Sequence, residues 1–349
     1  MSTQMSPTAA APSSPFDRAM SWGRPVALGL ASAVIVTVAP PVSGLAGLLA
    51  VVAPGLGSPA SVTAWILGSI VIVALALRFA PRLTARDRRA IAIGYVVGVA
   101  GYLSFSLAPL PPDQGPWRDA WNYFGLGVAD PYARTYAEGG TGYLPPFFQL
   151  VAPLRELGWP GFLAIWSVAE LAALWFVVGP LAPAFLLVPL VGFEVWNANI
   201  NILLAAAIAA GFRHPITWSF VLLTKFTLGI GLLWFALRRD VRRVGVALGA
   251  TAAIALASLA LAPGLWQQWG SWLLAATESR QADAAEFLVR FAIAAAIVVV
   301  GARTGRAWLV PIAAVVALPV VWPSGLTILL ACVPAARRGS IDAGVTRGR

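Results

Sequence analysis

Apolar runs long enough to cross a membrane alternate with short arginine-rich joints along most of this chain. A hydrocarbon core about 30 Å thick takes about 20 apolar residues per helical crossing. Residues 90–110, 216–236 and 243–262 fit that length most clearly. Residues 26–53 and 61–78 form an opening pair; Pro40 and Pro41 interrupt the first, which predicts a kink or a re-entrant second half. After a long polar stretch, the runs 144–154, 160–178, 181–195, 199–212 and 216–236 allow either five crossings or three. Segment 243–262 then crosses again, 286–302 returns, and 307–335, broken around Pro319 and Pro323, makes a closing hairpin. The pattern predicts an all-α polytopic membrane bundle of nine to twelve helices, with no repeat of solenoid length and no duplicated halves.

Composition points the same way. Hydrophobic residues make up 59% of the chain and charged residues 11%, against roughly 25% charged in soluble domains; the mean hydropathy is +0.80. Of 24 basic residues only Lys225 is a lysine, and the net charge is +10. The arginines gather in joints (Arg82, Arg86, Arg88 and Arg89; Arg238, Arg239, Arg242 and Arg243; Arg303 and Arg306; Arg337 and Arg338). That clustering follows the positive-inside rule and marks cytoplasmic loops, so nucleic acid is not the expected partner. Arginine in place of lysine, with abundant Ala, Gly and Pro, points to a high-GC bacterial genome and a multi-pass protein of its plasma membrane. The single Cys332 excludes an intramolecular disulfide.

These features divide the chain into a disordered cytoplasmic tail over 1–22, a transmembrane domain over 23–336 and a cytoplasmic tail over 337–349, with extracytoplasmic loops at 111–143 and 263–285. Segment 90–110 leaves an arginine joint and crosses outward, which puts the loop after it outside. By the same counting Arg213 and His214 also emerge outside, against the positive-inside rule. In the second loop Trp266, Trp269 and Trp272 recur every three residues and predict an interfacial helix.

The chemistry concentrates in residues 111–149, which hold four of the fourteen acidic residues with Trp117, Trp121, Tyr123, Tyr132, Tyr136 and Tyr143 interleaved. Such a composition suits a sugar or a lipid headgroup. Asp119, flanked by Arg118, is a candidate general base, or a residue capping a short interfacial helix. Asp130 precedes Pro131 and Tyr132, a turn signature as well as a possible substrate contact. Lys225 lies nine residues inside the 216–236 run, roughly 13 Å from its outer end. A cation there calls for a partner: a lipid phosphate, or Glu170 or Glu194. Asn197, Asn199 and Asn201 suit interhelical hydrogen bonds or a ligand, and His214 a proton shuttle or an ordinary exposed joint. Metal and nucleotide motifs, including an Asp-X-Asp pair, are absent, so no cofactor is expected.

Asp119, then Asp130-Pro131-Tyr132, Tyr143-Leu144-Pro145-Pro146-Phe147, Asn199-Ile200-Asn201-Ile202-Leu203-Leu204 and finally Lys225 ahead of an arginine joint make an ordered series. That series resembles the multi-spanning glycosyltransferases of family 87, in the GT-C superfamily, over about residues 90–335. The resemblance implies an inverting transferase that moves mannose, or another sugar such as arabinofuranose, from a polyprenyl monophosphate to a hydroxyl of a glycan or glycolipid outside the membrane. Asp119 would be its base. Lys225, Arg118, Arg213 or His214 would supply a cation for the leaving phosphate, and Asp130, Tyr132, Tyr143, Asn199 and Asn201 would line the substrate site. A transporter or flippase is the competing expectation, because Glu170, Glu194 and Lys225 in broken helices also suit a translocation path.

Overall fold

The computed structural model describes residues 15–52, 71–72, 74–107, 117–125, 131–133, 142–278 and 284–336. Regular structure among them is entirely helical. Among the described residues, five helices are long and apolar enough to cross a membrane, or six if one bent pair counts as a single span. The chain is a multi-pass helical membrane protein. Among the described residues, several apolar runs expected as spans fold instead as short, broken helices.

The first helix, α1 (Pro15–Val52), begins inside the stretch expected as a tail and continues through Pro25, Pro40 and Pro41. Neighbouring helices in a membrane bundle can re-satisfy the backbone groups that proline frees. Residues 1–14, most of 61–78 and the tail 337–349 lie outside the described residues. Helix α2 (Ala85–Ser106) starts on a capping box, in which the Thr84 hydroxyl accepts from the Asp87 amide and the Asp87 carboxylate accepts from the Thr84 amide. Arg24 of α1 pairs with Asp87 at 3.2 Å, tying the arginine ends of the two helices together. Further along, Gly94 and Gly98 stand four apart on α2, and a methyl group at 94 would collide with the Gly29 carbonyl. Small residues at that spacing let two membrane helices touch backbone to backbone.

A short helix, α3 (Arg118–Gly125), follows in the first loop. Next come α4 (Pro145–Arg155) and the long span α5 (Gly158–Val178), which a 3-10 turn joins to α6 (Ala182–Leu186). Helices α7 (Pro189–Asn197) and α8 (Asn201–Gly211) meet at a bend of 108°. The run 216–236, expected as one continuous span, is instead divided. Helix α9 (Trp218–Thr224) stops at Lys225, a 3-10 stretch covers Phe226–Leu232, and α10 (Leu233–Leu237) completes it. Three longer helices follow, α11 (Val241–Leu261), α12 (Pro263–Glu278) and α13 (Ala284–Thr304). The chain closes with α14 (Leu309–Val316) and a 3-10 stretch over Pro323–Ala331.

The two ends of the bundle are chemically distinct. Phe212 packs on Trp234 and Phe235 at ring separations of 6.1 and 5.7 Å. The Arg238 and Arg243 guanidiniums lie over the same two rings, and Arg238 also donates to the Ala302 carbonyl at 3.2 Å. Exposed Arg213 and His214 therefore sit at the arginine end, opposite Asp119, which corrects the side expected from the sequence. The conflict with the positive-inside rule disappears with that correction.

Candidate functional site

At the end of the bundle opposite the arginines, three interruptions of helical structure converge. The first is the α7–α8 bend. Ala198 takes the left-handed conformation at φ 52°, and the chain turns so that Asn201 re-enters a helix. The turn closes on Glu194, whose carboxylate accepts from the Asn201 amide at 2.7 Å and from Asn201 Nδ2 at 3.3 Å. Both side chains are buried. Donors held to a carboxylate in this way fix the acceptor face of the Asn201 amide, leaving Oδ1 free to point elsewhere.

The second interruption is Lys225. Its backbone leaves the helical region at φ −130°, ψ 83°, between α9 and the 3-10 stretch. The Nζ ammonium donates to Asn201 Oδ1 at 2.6 Å and lies 6.0 Å from the centre of the Tyr143 ring. Lys225 thus reaches Glu194 through the amide of Asn201, and the two form no direct ion pair. Glu170 is not its partner either. That carboxyl is buried on α5, and neither of its oxygens has a hydrogen-bond partner among the described residues.

The third is α3, which carries Asp119 in its first turn. The Trp117 amide donates to the Trp196 carbonyl at 2.7 Å and pins the start of this helix to the end of α7. Tyr123 anchors the other face. Its hydroxyl donates to Asn199 Oδ1 at 3.1 Å, and its ring packs on Trp166, Phe147 and Tyr143 at 5.0, 5.3 and 5.9 Å. Asp119 lies near enough to Lys225 and Arg118 for their charges to act on it. Burial pushes its carboxyl up to about 6, with Lys225 and then Arg118 pulling in the other direction. Burial also holds the Tyr123 hydroxyl well above its usual range, so that it stays a neutral donor.

Asp119, Tyr143, Asn199 and Lys225 each keep partial exposure, whereas Tyr123, Glu194 and Asn201 behind them are buried. A carboxylate with a raised pKa and an ammonium whose charge acts on it are thus both partly exposed, with buried groups behind them. Tyr132 joins from the same loop by donating its hydroxyl to the Tyr143 carbonyl at 2.7 Å.

Of the residues singled out by sequence, Asp119, Tyr132, Tyr143, Asn199, Asn201 and Lys225 are brought together. Arg118 stands beside Asp119 with its side chain exposed. Asp130 lies outside the described residues. His214 follows the far end of α8, ten residues and roughly 15 Å of helix beyond Asn201, so neither it nor Arg213 belongs to this cluster. Tyr123 and Glu194 carry more of the geometry than their sequence context suggested. The signal for Glu194 was a lone carboxylate in an apolar run, seven residues before an asparagine. Comparison with known proteins adds no relative, as the chain matches no family model, no curated protein and no solved structure.

Proposed function

We propose that this protein is a bacterial plasma-membrane glycosyltransferase that moves a sugar, mannose or another hexose or pentose, from a polyprenyl monophosphate to an acceptor hydroxyl with inversion. The supporting observation is a partly exposed carboxylate with a raised pKa, acted on by the charge of an ammonium that the Asn201–Glu194 pair holds in place. Asp119 accepts the proton of the acceptor hydroxyl as that oxygen bonds to the anomeric carbon. The bond from that carbon to the phosphate oxygen breaks at the same time, and its electron pair leaves with the polyprenyl phosphate. Lys225 stabilises the charge that grows on the departing phosphate. A carboxylate near 6 is basic enough to take a proton while still ionised at neutral pH.

A fully buried carboxyl at Glu170 with no hydrogen-bond partner among the described residues favours a second reading, a transporter or flippase with a proton path through α5. One experiment separates the two. Purified protein in lipid is given polyprenyl phosphomannose, polyprenyl phosphoarabinose or a nucleotide sugar together with a glycolipid acceptor. The transferase reading expects glycosylated product from a lipid donor. Product from the nucleotide sugar alone would overturn the donor class, and sugar movement across the bilayer without product would overturn the enzyme.

A further inference from the structure

Beside the cluster, α12 and Tyr132 enclose an open groove of about 450 Å³, lined by Tyr132, Gly264, Gln267, Gln268, Ser271 and Trp272. Its volume lies within the range of about 300–1,000 Å³ typical of small-ligand sites. Among the described residues the lining is neutral throughout. Two primary amides each offer both donors and acceptors, the serine adds a hydroxyl, and an indole and a phenol supply flat apolar faces. Neutral groups of this kind match sugar hydroxyls and the apolar face of a sugar ring. An anionic phosphate or lipid headgroup would call for arginine or lysine, and none lines the groove among the described residues.

The groove is also coupled to the proposed reacting groups. Trp269 Nε1 donates to the Gly142 carbonyl at 3.3 Å. The Trp272 ring lies so close over Gly142 that a methyl group there would collide with it. Helix α12 is thereby seated on the residue preceding Tyr143, whose ring faces Lys225, and the groove's own Tyr132 donates to the Tyr143 carbonyl. A ligand in the groove touches a wall that continues into the cluster.

We infer that this groove is the acceptor subsite and holds the non-reacting sugar residues of an oligosaccharide or the glycan part of a glycolipid. The inference rests on the transferase reading and gives it a substrate class. Gln267, Gln268 and Ser271 are exposed, so replacing them leaves the packing of α12 on Gly142 intact.

The test uses full-length protein carrying Asp119→Asn, with no sugar donor present, and measures equilibrium binding of linear mannotriose and arabinofuranotriose by calorimetry. One of the two trisaccharides is expected to bind. Adding Gln267→Ala and Gln268→Ala together is expected to weaken it at least tenfold, since the lost side chains carry its hydrogen bonds. Unchanged affinity, or no binding of either trisaccharide, would overturn the subsite. So would a double variant that retains saccharide affinity and loses only binding to phosphatidylglycerol vesicles, which would make the groove a lipid seat. Failure of the transferase reading would be seen separately, as sugar transfer by the Asp119→Asn protein at the wild-type rate.

Discussion

Lys225 and Asn201 meet at 2.6 Å although each stands at a break in its own apolar segment, one where α9 stops and the other where α8 begins. A continuous 216–236 helix would have held the lysine among packed side chains. The break leaves the lysine partly exposed and gives its ammonium a neutral amide partner that Glu194 holds in place.

The pairing predicts unequal and non-additive losses. Lys225→Met removes the cation itself and is expected to lower kcat/KM by about 10²–10³-fold, the usual range for losing one group that stabilises developing charge. Asn201→Ala leaves the cation but frees its position, with an expected loss of roughly tenfold. The double variant should be no worse than Lys225→Met alone, because the amide acts through the lysine. Steady-state kinetics on the four proteins measures this, and strictly multiplicative losses would show that the two residues act independently.

Asp119 links the site to stability. Its folded pKa stands above the unfolded value, so the native state binds the extra proton between about 4 and 6 and loses stability as pH rises through that window. Asparagine, which has no charge to desolvate, removes that penalty. Asp119→Asn is therefore expected to raise Tm relative to wild type at about pH 7.5 and to leave it nearly unchanged at about pH 4. Thermal unfolding in detergent at both pH values checks this; a Tm gain that is the same at both would point to packing instead of charge.

Glu170 makes the opposite kind of test, because nothing proposed for the reaction uses it. A buried carboxyl whose two oxygens have no hydrogen-bond partner among the described residues costs stability without returning a hydrogen bond. Glu170→Leu keeps most of the volume and is expected to stabilise the bundle by about 1–3 kcal/mol, with kcat/KM unchanged. A fall in Tm would show that the carboxyl has a partner, and loss of transport with intact folding would support the transporter reading.

Much of this architecture was legible in the sequence, and the misreadings share one cause. The span over α2 and the arginine joints follow from hydropathy and charge, and the three-residue spacing of Trp266, Trp269 and Trp272 falls on the helix α12. Counting crossings misplaced Arg213 and His214 because it treats each apolar run as a full span. Helices α8 and α9 have only 11 and 7 residues, and the joint between them turns back at the arginine end, which moved His214 and Arg213 to the opposite side from Asp119. The break at Lys225 left no local trace, since Thr224 and Phe226 are neither glycine nor proline. Hydrophobic periodicity reports burial and does not record where a hydrogen-bond ladder stops. The asparagine spacing drew attention to the right turn, but its 108° angle depends on Glu194 capping Asn201, a tertiary contact across seven residues.

The most direct measurement is the pH profile of kcat/KM for sugar transfer from a polyprenyl monophosphate donor, taken on wild type and on Asp119→Asn. A base with a pKa of about 6 predicts wild-type activity that rises through that pH and levels off above it. The variant, folded by thermal unfolding, should fall by about 10²–10⁴-fold, the range that general-base catalysis contributes, and lose the inflection. An unchanged rate and profile in Asp119→Asn would contradict the account at its centre.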